Sequence, residues 1–161
     1  MWERIKKEVP EAKLNICYGF ENWEFGARND TNQMALIERL KTMIKDMKHL
    51  DVNYIGRVDQ NRLSTEMLSA GAWLYSTWFS ETSCISAIEA QAAGMVLVTS
   101  PIAALKETAC NADFVEGDWL SPEYQDNFVK KAVKALKFTK NEDRLRNIEF
   151  AKKYEWKNVA S

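Results

Sequence analysis

Two glutamates flank the start of a short segment whose other residues are almost all small or aliphatic. In SETSCISAIEAQAAG (residues 80–94), Glu81 precedes the expected helix and Glu89 lies inside it. At 100° per residue, the predicted buried face consists of Ile85, Ile88 and Ala92. Glu89 would lie about 40° from the first of these residues, on the margin of that face. A carboxylate there would cost several kcal/mol unless hydrogen-bond donors reached it.

Each candidate residue has a functional and a plain structural interpretation. The two hydroxyls of a ribose diol could supply donors to Glu89, but an ion pair with a nearby Lys or Arg, or an exposed position, would explain it equally well. A carboxylate such as Glu81 is favoured near any helix N-terminus by the helix dipole. Ser83 could simply cap the helix. A nucleophilic role for Cys84 is disfavoured because the segment offers no histidine to activate it.

The rest of the chain alternates between predicted strands and helices. The five predicted strands are KLNICYG, VNYIGRV, AWLYSTWF, MVLVTS and ADFVEGD. Helical patterns separate them, and a polar, aromatic loop is expected at residues 20–32. Strands separated by helices of this length predict an α/β fold with a doubly wound parallel sheet and helices on both faces. In such sheets ligands bind at the carboxyl ends of the strands. There, the N–H groups of Cys84, Ile85 and Ser86 would form a binding site for phosphate at the N-terminus of the helix.

Composition excludes several classes of function. The formal net charge is −1 and there is no basic run, so nucleic-acid binding is not expected. No apolar stretch approaches the length of a membrane span, and the charged N-terminus is not a signal peptide. Three cysteines without C-x-x-C spacing favour reduced thiols and a cytoplasmic protein. The single histidine, His49, is expected on the surface at a helix end, and no metal site is predicted.

The paired glutamates followed by AQAAG resemble the nucleotide-sugar signature of retaining GT-B glycosyltransferases, of the family-four or group-one type. VNYIGRV is similar to the family's strand near the donor base, and MVLVTSPIAALKE to its next strand and loop, ending at Glu107. YEWKNVA is similar to a segment centred on a Trp, here Trp156, where such chains turn back toward their other domain. The resemblance implies a Rossmann-like donor-binding half of a GT-B fold.

The resemblance also implies roles for individual residues. Glu81 would be the catalytic residue, facing the hydroxyls of the donor sugar, and Glu89 would bind the ribose. Arg57 and Val58 would contact the base. The remaining implied donor-binding residues, around the diphosphate, are Thr82, Ser83, Cys84, Ile85 and Ser86. No metal or other cofactor is required, because the leaving phosphate takes the acceptor proton and the helix dipole bears the developing charge.

The sequence departs from the family at two places. Thr82-Ser83-Cys84 replaces the usual Gly-Phe-Gly, and Ala103-Ala104 replaces a glycine pair, so side chains occur where backbone normally approaches the donor. Two alternatives therefore stay open. One is a non-catalytic interaction module on a nucleotide-binding fold. The other is half of a sugar-nucleotide epimerase, although an acid–base set for that reaction is not evident.

Residues 1–161 are expected to form one donor-binding domain of a longer enzyme. The family's first strand would precede Trp2, and a separate N-terminal domain would bind the acceptor, a glycan or another molecule. Alone, the chain is expected to show no glycosyl transfer and to bind nucleotide weakly. Peripheral membrane association is conceivable, but no sequence feature supports it. Trp23, Trp78 and Phe79 could form a partner surface, although packing in the core or lining a pocket is the favoured interpretation.

Overall fold

The computed structural model describes residues 1–159, except for the side chains of Trp156 and Val159. The predicted role of Trp156 therefore lies outside the described residues. The chain divides into two compact units. The smaller unit spans Pro10–Leu63, and the larger one contains Met1–Val9 together with the chain from Ser64 onward.

The elements follow the predicted alternation, and strand pairing is parallel in both units. The strands are β1 (Leu14–Ile16), β2 (Val52–Tyr54), β3 (Ala72–Tyr75), β4 (Val96–Thr99) and β5 (Asp113–Phe114). The helices are α1 (Trp2–Glu8), α2 (Glu21–Ala27), α3 (Thr31–Asp46), α4 (Gln60–Ser69), α5 (Ile85–Ala92), α6 (Leu105–Thr108), α7 (Pro122–Phe138), α8 (Asn141–Ala151) and α9 (Trp156–Val159). Short 3₁₀ segments, Met47–Leu50 and Lys152–Tyr154, follow α3 and α8. The predicted α/β class is confirmed.

The larger unit is built around a three-stranded sheet with the order β3-β4-β5. Successive side chains of β4 enter two different cores, because side chains alternate across a strand. Leu97 packs with α5 and α6 through Ala87, Ala90 and Leu105. On the opposite face, Val98 belongs to a second core. The other buried members of that core are Val115, Tyr124, Phe128 and Ala135. Helices thus cover both faces of this sheet, as the doubly wound fold requires.

Helix α7 begins at a Ser-Pro pair. The side chain of Ser121 accepts a hydrogen bond from the backbone N–H of Tyr124 at 3.1 Å, and Pro122 occupies the first helical position. Proline is favoured there because its missing N–H would have no partner inside the helix, and its fixed φ suits the first turn. The carboxyl end of β5 is therefore followed by a firmly defined helix start.

The smaller unit contains the parallel pair β1 and β2, with Leu14 opposite Val52. Its core joins Phe20, Ala27 and Ile37. The predicted loop at residues 20–32 is wrong in part, because residues 21–27 form α2. Phe20 and Ala27 are buried, so tertiary packing holds a helix in a segment whose glycine and polar residues favour a loop. His49 is exposed in the 3₁₀ segment after α3, as predicted.

Candidate functional site

The loop after β3 is held by hydrogen bonds of its own. Thr77 is buried, and its hydroxyl accepts a hydrogen bond from the N–H of Phe79 at 3.0 Å. The N–H of Glu81 then donates to the carbonyl of Phe79 at 3.1 Å. These bonds define the backbone immediately ahead of α5, at the carboxyl edge of the sheet, where ligands bind in open α/β folds.

Glu81 is fixed at both its side chain and its backbone. The phenol of Tyr75 donates a hydrogen bond to Glu81 Oε1 at 2.9 Å. The N–H of Ala104, in the loop after β4, donates to the carbonyl of Glu81 at 3.2 Å. Burial raises the pKa of Tyr75, and the hydrogen bond to the Glu81 carboxylate raises that pKa as well, while the hydroxyl of Thr77 lowers it. The predicted catalytic carboxylate is therefore oriented by its neighbours and only partly buried.

Helix α5 starts one residue later than a Ser83 cap would place it. Cys84 is the N-cap residue, it makes no side-chain cap bond, and its buried thiol lies 3.4 Å from the hydroxyl of Ser86. The interpretation of Ser83 as the cap is wrong. Thr82 and Ser83 are both exposed in the loop ahead of the helix. Within residues 1–159, no acceptor takes a hydrogen bond from the N–H of Ile85 or Ser86, as expected for a helix start.

The buried face of α5 differs from the predicted one. Its buried residues are Ala87, Ala90 and Gln91. Ile85 is 65% exposed and Ala92 is exposed, so the face predicted from aliphatic spacing is wrong. Small residues face the sheet because α5 packs closely on it, and a larger side chain would hold the helix away. Glu89 is partly buried and lies about 160° around the helix from Gln91.

The buried polar group of this helix is therefore Gln91, which sequence reasoning missed. Gln91 is fully buried, and its Nε2 donates to the carbonyl of Ala87 at 3.0 Å and to that of Thr108 at 2.6 Å. These bonds connect α5 to the end of α6. The available signal was its position four residues after Ala87, which in turn lies three residues before Ala90, since residues three and four apart share one helix face.

Gly94 ends α5 in a Schellman arrangement. It has φ +75°, its N–H donates to the carbonyl of Gln91, and the N–H of Met95 donates to that of Ala90. A Cβ on Gly94 would lie 3.2 Å from Cδ1 of Ile148 in α8. The glycine at the end of AQAAG is therefore required by backbone conformation and by the packing of α8 against α5.

The loop after β4 retains a conformation that suits glycine. Ala103 has φ +45°, a left-handed value that L side chains rarely adopt. It stands where the resemblance implies a glycine, and it immediately precedes Ala104, the residue that donates to Glu81. The departure at this point changed the side chain, while the backbone kept the glycine-like turn.

Arg57 and Val58 belong to the smaller unit, in the loop after β2. Arg57 is exposed, and Val58 is partly buried. The loop after β1 approaches them closely, since a Cβ on Gly19 would lie 2.8 Å from the Cβ of Arg57. Glycine is needed at that position because backbone and side chain meet there. Contact of Arg57 and Val58 with a nucleotide base stays a prediction.

Two cavities of the larger unit lie away from the predicted donor residues. One, of about 790 Å³, is lined by residues including Cys110, Arg146 and Phe150. The other, of about 120 Å³, includes Val96 and Asp113, which begin β4 and β5. The second cavity thus lies at the amino ends of these strands, the edge opposite Glu81.

Within residues 1–159, no cluster of three or more His, Cys, Asp or Glu residues is arranged to hold a metal ion. In the same part of the chain, no helix combines the length and apolar character needed to cross a bilayer.

Comparison with known families decides the class of protein. The family described as glycosyl transferases group 1 matches residues 2–154. The chain belongs to this family. Membership assigns it a role in glycosyl transfer and confirms the resemblance drawn from the paired glutamates. A comparison with curated proteins gave no match.

Proposed function

We propose that this group 1 glycosyl transferase chain binds a nucleoside diphosphate sugar as donor, and that transfer retains the configuration of the anomeric carbon. The observation that carries the proposal is the fixing of Glu81 ahead of α5. Tyr75 holds its carboxylate and Ala104 holds its carbonyl, so a polar side chain is oriented beside a helix N-terminus. Preorganised groups of this kind suit a sugar diphosphate, whose hydroxyls need acceptors and whose phosphates need N–H donors.

In the proposed complex, the N–H groups from Cys84 to Ser86 hold the diphosphate, with Thr82 and Ser83 alongside. Glu89 accepts hydrogen bonds from the ribose hydroxyls. It shares the outer side of α5 with exposed Ile85, one turn nearer the helix start, so a ligand can approach this side. The proposed role of Glu89 thus depends on the partial exposure of its side chain and not on burial in an apolar face.

The chemical step exchanges one bond at the anomeric carbon. The bond from that carbon to the leaving phosphate oxygen breaks, and a bond to the acceptor oxygen forms on the same face of the sugar. The acceptor proton passes to the phosphate oxygen, which leaves as part of the nucleoside diphosphate. Glu81 positions the sugar through its hydroxyls. The helix N-terminus stabilises the charge that develops on the phosphate, so the scheme needs no metal ion.

The acceptor is proposed to be a glycan or another hydroxyl-bearing molecule. We propose that residues 1–161 alone show no transfer, because a separate domain is proposed to bind the acceptor. Arg57 and Val58 are proposed to contact the base. The side chains at Thr82, Ser83 and Cys84 narrow the space near the donor and will restrict which sugars fit.

Calorimetric titration of the chain with UDP, GDP, ADP and CMP tests the donor site. At least one nucleotide is expected to bind, and Glu89→Gln is expected to weaken it about tenfold or more, since hydrogen bonds to a charged group contribute about 1.5–3 kcal/mol. Glu123→Gln is the matched control, because Glu123 is an exposed carboxylate in the first turn of α7. Absence of any nucleotide binding, or equal binding by both variants, would contradict the proposal and favour a non-catalytic interaction module.

A further inference from the structure

Two exposed tryptophans from different loops stack on each other at the carboxyl edge of the three-stranded sheet. Trp78 follows β3 and Trp119 follows β5, with ring centroids 6.1 Å apart and an interplanar angle of 26°. Trp78 is 62% exposed and Trp119 is 38% exposed. Core packing, one of the two favoured interpretations, is therefore wrong for Trp78, while pocket lining stays a prediction. Two neighbouring exposed indoles form an apolar patch, and exposed apolar patches often mark binding sites.

Both loops are held in place by short-range hydrogen bonds. Trp78 lies inside the turn closed by the Phe79 N–H and the hydroxyl of Thr77. In the other loop, Asp118 Oδ1 accepts a hydrogen bond from the N–H of Leu120 at 3.0 Å, and the Asp118 carbonyl accepts one from the N–H of Ser121 at 2.8 Å. The stack is thus presented by ordered backbone, which lowers the entropic cost of binding a ligand.

The charges in these loops select the kind of ligand. Residues 76–84 contain one charged side chain, Glu81, and residues 115–121 contain two, Glu116 and Asp118. All three are acidic, and neither loop has a Lys or Arg. Glu116 and Asp118, in the loop that carries Trp119, would repel phosphate and anionic lipid there, but they accept hydrogen bonds from hydroxyls. An apolar ring face beside hydroxyl acceptors matches a neutral sugar, which has C–H groups on its faces and hydroxyls at its rim.

We propose that Trp78 and Trp119 form a platform that binds a neutral sugar unit of the acceptor. The sugar ring packs on the indoles, and its hydroxyls donate to Glu116 or Asp118. This inference rests on the proposed function, because Glu81, three residues after Trp78, is the group assigned to the donor sugar. It adds an acceptor contact on this chain to the acceptor domain expected from the sequence.

Saturation-transfer NMR with maltohexaose, cellohexaose and mannohexaose tests the platform on this chain. We expect at least one hexasaccharide to bind, and Trp78→Ala and Trp119→Ala each to weaken it about tenfold, comparable with the contribution of one buried aromatic contact. Trp78→Phe should bind within about threefold of the wild type, because a flat ring remains. Phe138→Ala is the matched control, since Phe138 is 69% exposed and ends α7. Circular dichroism and thermal melting of each variant report folding.

The platform is refuted if no hexasaccharide binds the wild type, or if both alanine variants bind as well as Phe138→Ala. Loss of binding to phosphatidylcholine vesicles in the alanine variants, without hexasaccharide binding, would assign the aromatics to a membrane surface instead. The nucleotide titration separates this proposal from the donor site. Glu89→Gln should lose nucleotide and keep the hexasaccharide, and the tryptophan variants should do the reverse. Hexasaccharide binding that depends on both tryptophans, without any nucleotide binding, would refute the donor site alone.

Discussion

The two sides of helix α5 carry similar polar side chains in opposite environments. On the inner side, Gln91 is fully buried and donates to the carbonyls of Ala87 and Thr108. On the outer side, Glu89 is partly buried and shares its surface with exposed Ile85. A neutral amide is placed where water is excluded, and a carboxyl group is placed where solvent or a ligand can reach it.

This difference teaches that the type of polar group identifies its task more reliably than its position in an apolar segment. Burying a charge costs far more than burying a neutral amide, and this holds even though only Nε2 of Gln91 is hydrogen-bonded and its Oε1 has no partner within residues 1–159. Gln91 therefore has a structural role, since its hydrogen bonds connect α5 to the end of α6. Glu89 lies on the partly exposed outer side of the helix, next to exposed Ile85, and the proposed ribose contact is assigned to that side.

A reciprocal pair of substitutions gives the sharpest test and the largest expected effect. Gln91→Glu should lower the free energy of unfolding by about 3–5 kcal/mol, because it removes two donors and buries a carboxylate against two carbonyls. Glu89→Gln, the reverse exchange two residues away, should change it by less than about 1 kcal/mol. Urea denaturation at neutral pH measures both.

The loss in free energy of unfolding caused by Gln91→Glu, its stability deficit, should also depend on pH. Burial raises the pKa of the new carboxyl above its unfolded value, so the deficit grows as pH rises above about 4.3 and shrinks in acid. Gln91→Met separates lost hydrogen bonding from added charge, and its deficit should not vary with pH in this way. Similar losses for Gln91→Glu and Glu89→Gln would overturn the contrast between the two sides of α5.

The end of α5 gives the next largest effect. Gly94→Ala should destabilise the chain by about 1–2 kcal/mol, because alanine is strained at φ +75° and its Cβ would press on Ile148. Gly26→Ala is the same substitution inside α2, where an added Cβ meets nothing within 4 Å. It should stabilise by about 0.5–1 kcal/mol, since alanine favours a helix more than glycine does. If both variants shifted the midpoint of thermal unfolding in the same direction, this account would be contradicted.

A smaller effect of the opposite kind is expected at the loop that supports Glu81. Ala103→Gly should relieve left-handed strain worth about 1–2 kcal/mol, while it adds about 0.4–1 kcal/mol of unfolded-state entropy. The net gain should lie between about 0 and 1.6 kcal/mol, measured as a higher midpoint in urea. Ala104→Gly is the neighbouring control, and it should not stabilise, because only Ala103 has a positive φ in this loop. A clear loss of stability in Ala103→Gly would show that no strain is stored there.

The smallest effect concerns the bond between Tyr75 and Glu81. Burial and the bond to Glu81 raise the pKa of Tyr75 in the folded protein. The neutral phenol therefore contributes fully to the free energy of unfolding below about pH 10, its unfolded pKa. That contribution is lost as the pH rises through the folded pKa. Tyr75→Phe should therefore lose stability less steeply in alkali. Glu81→Gln should lower the pKa of Tyr75 in an ultraviolet phenolate titration, and an unchanged titration would argue against the bond.

The sequence was most informative where local chemistry and periodicity act alone. The Ser121-Pro122 start of α7 could be predicted because capping depends on adjacent residues. The five strands could be located because each is a short apolar run between breakers. The α2 helix could not, since its formation depends on burial of Phe20 and Ala27 against Ile37, which lies ten residues further on.

By itself the sequence determined the α/β class and the family, through alternating elements and two glutamates with seven residues between them. The tertiary structure alone decided which side of α5 is buried and that its N-cap residue is Cys84 rather than Ser83. It also decided that Tyr75 and Ala104 hold Glu81. The physical reason is that a helix's aliphatic spacing limits the faces it can bury, but the sheet beneath selects one by how closely it can be approached. Here the small residues Ala87 and Ala90 pack in the core, and the larger Ile85 is exposed to solvent.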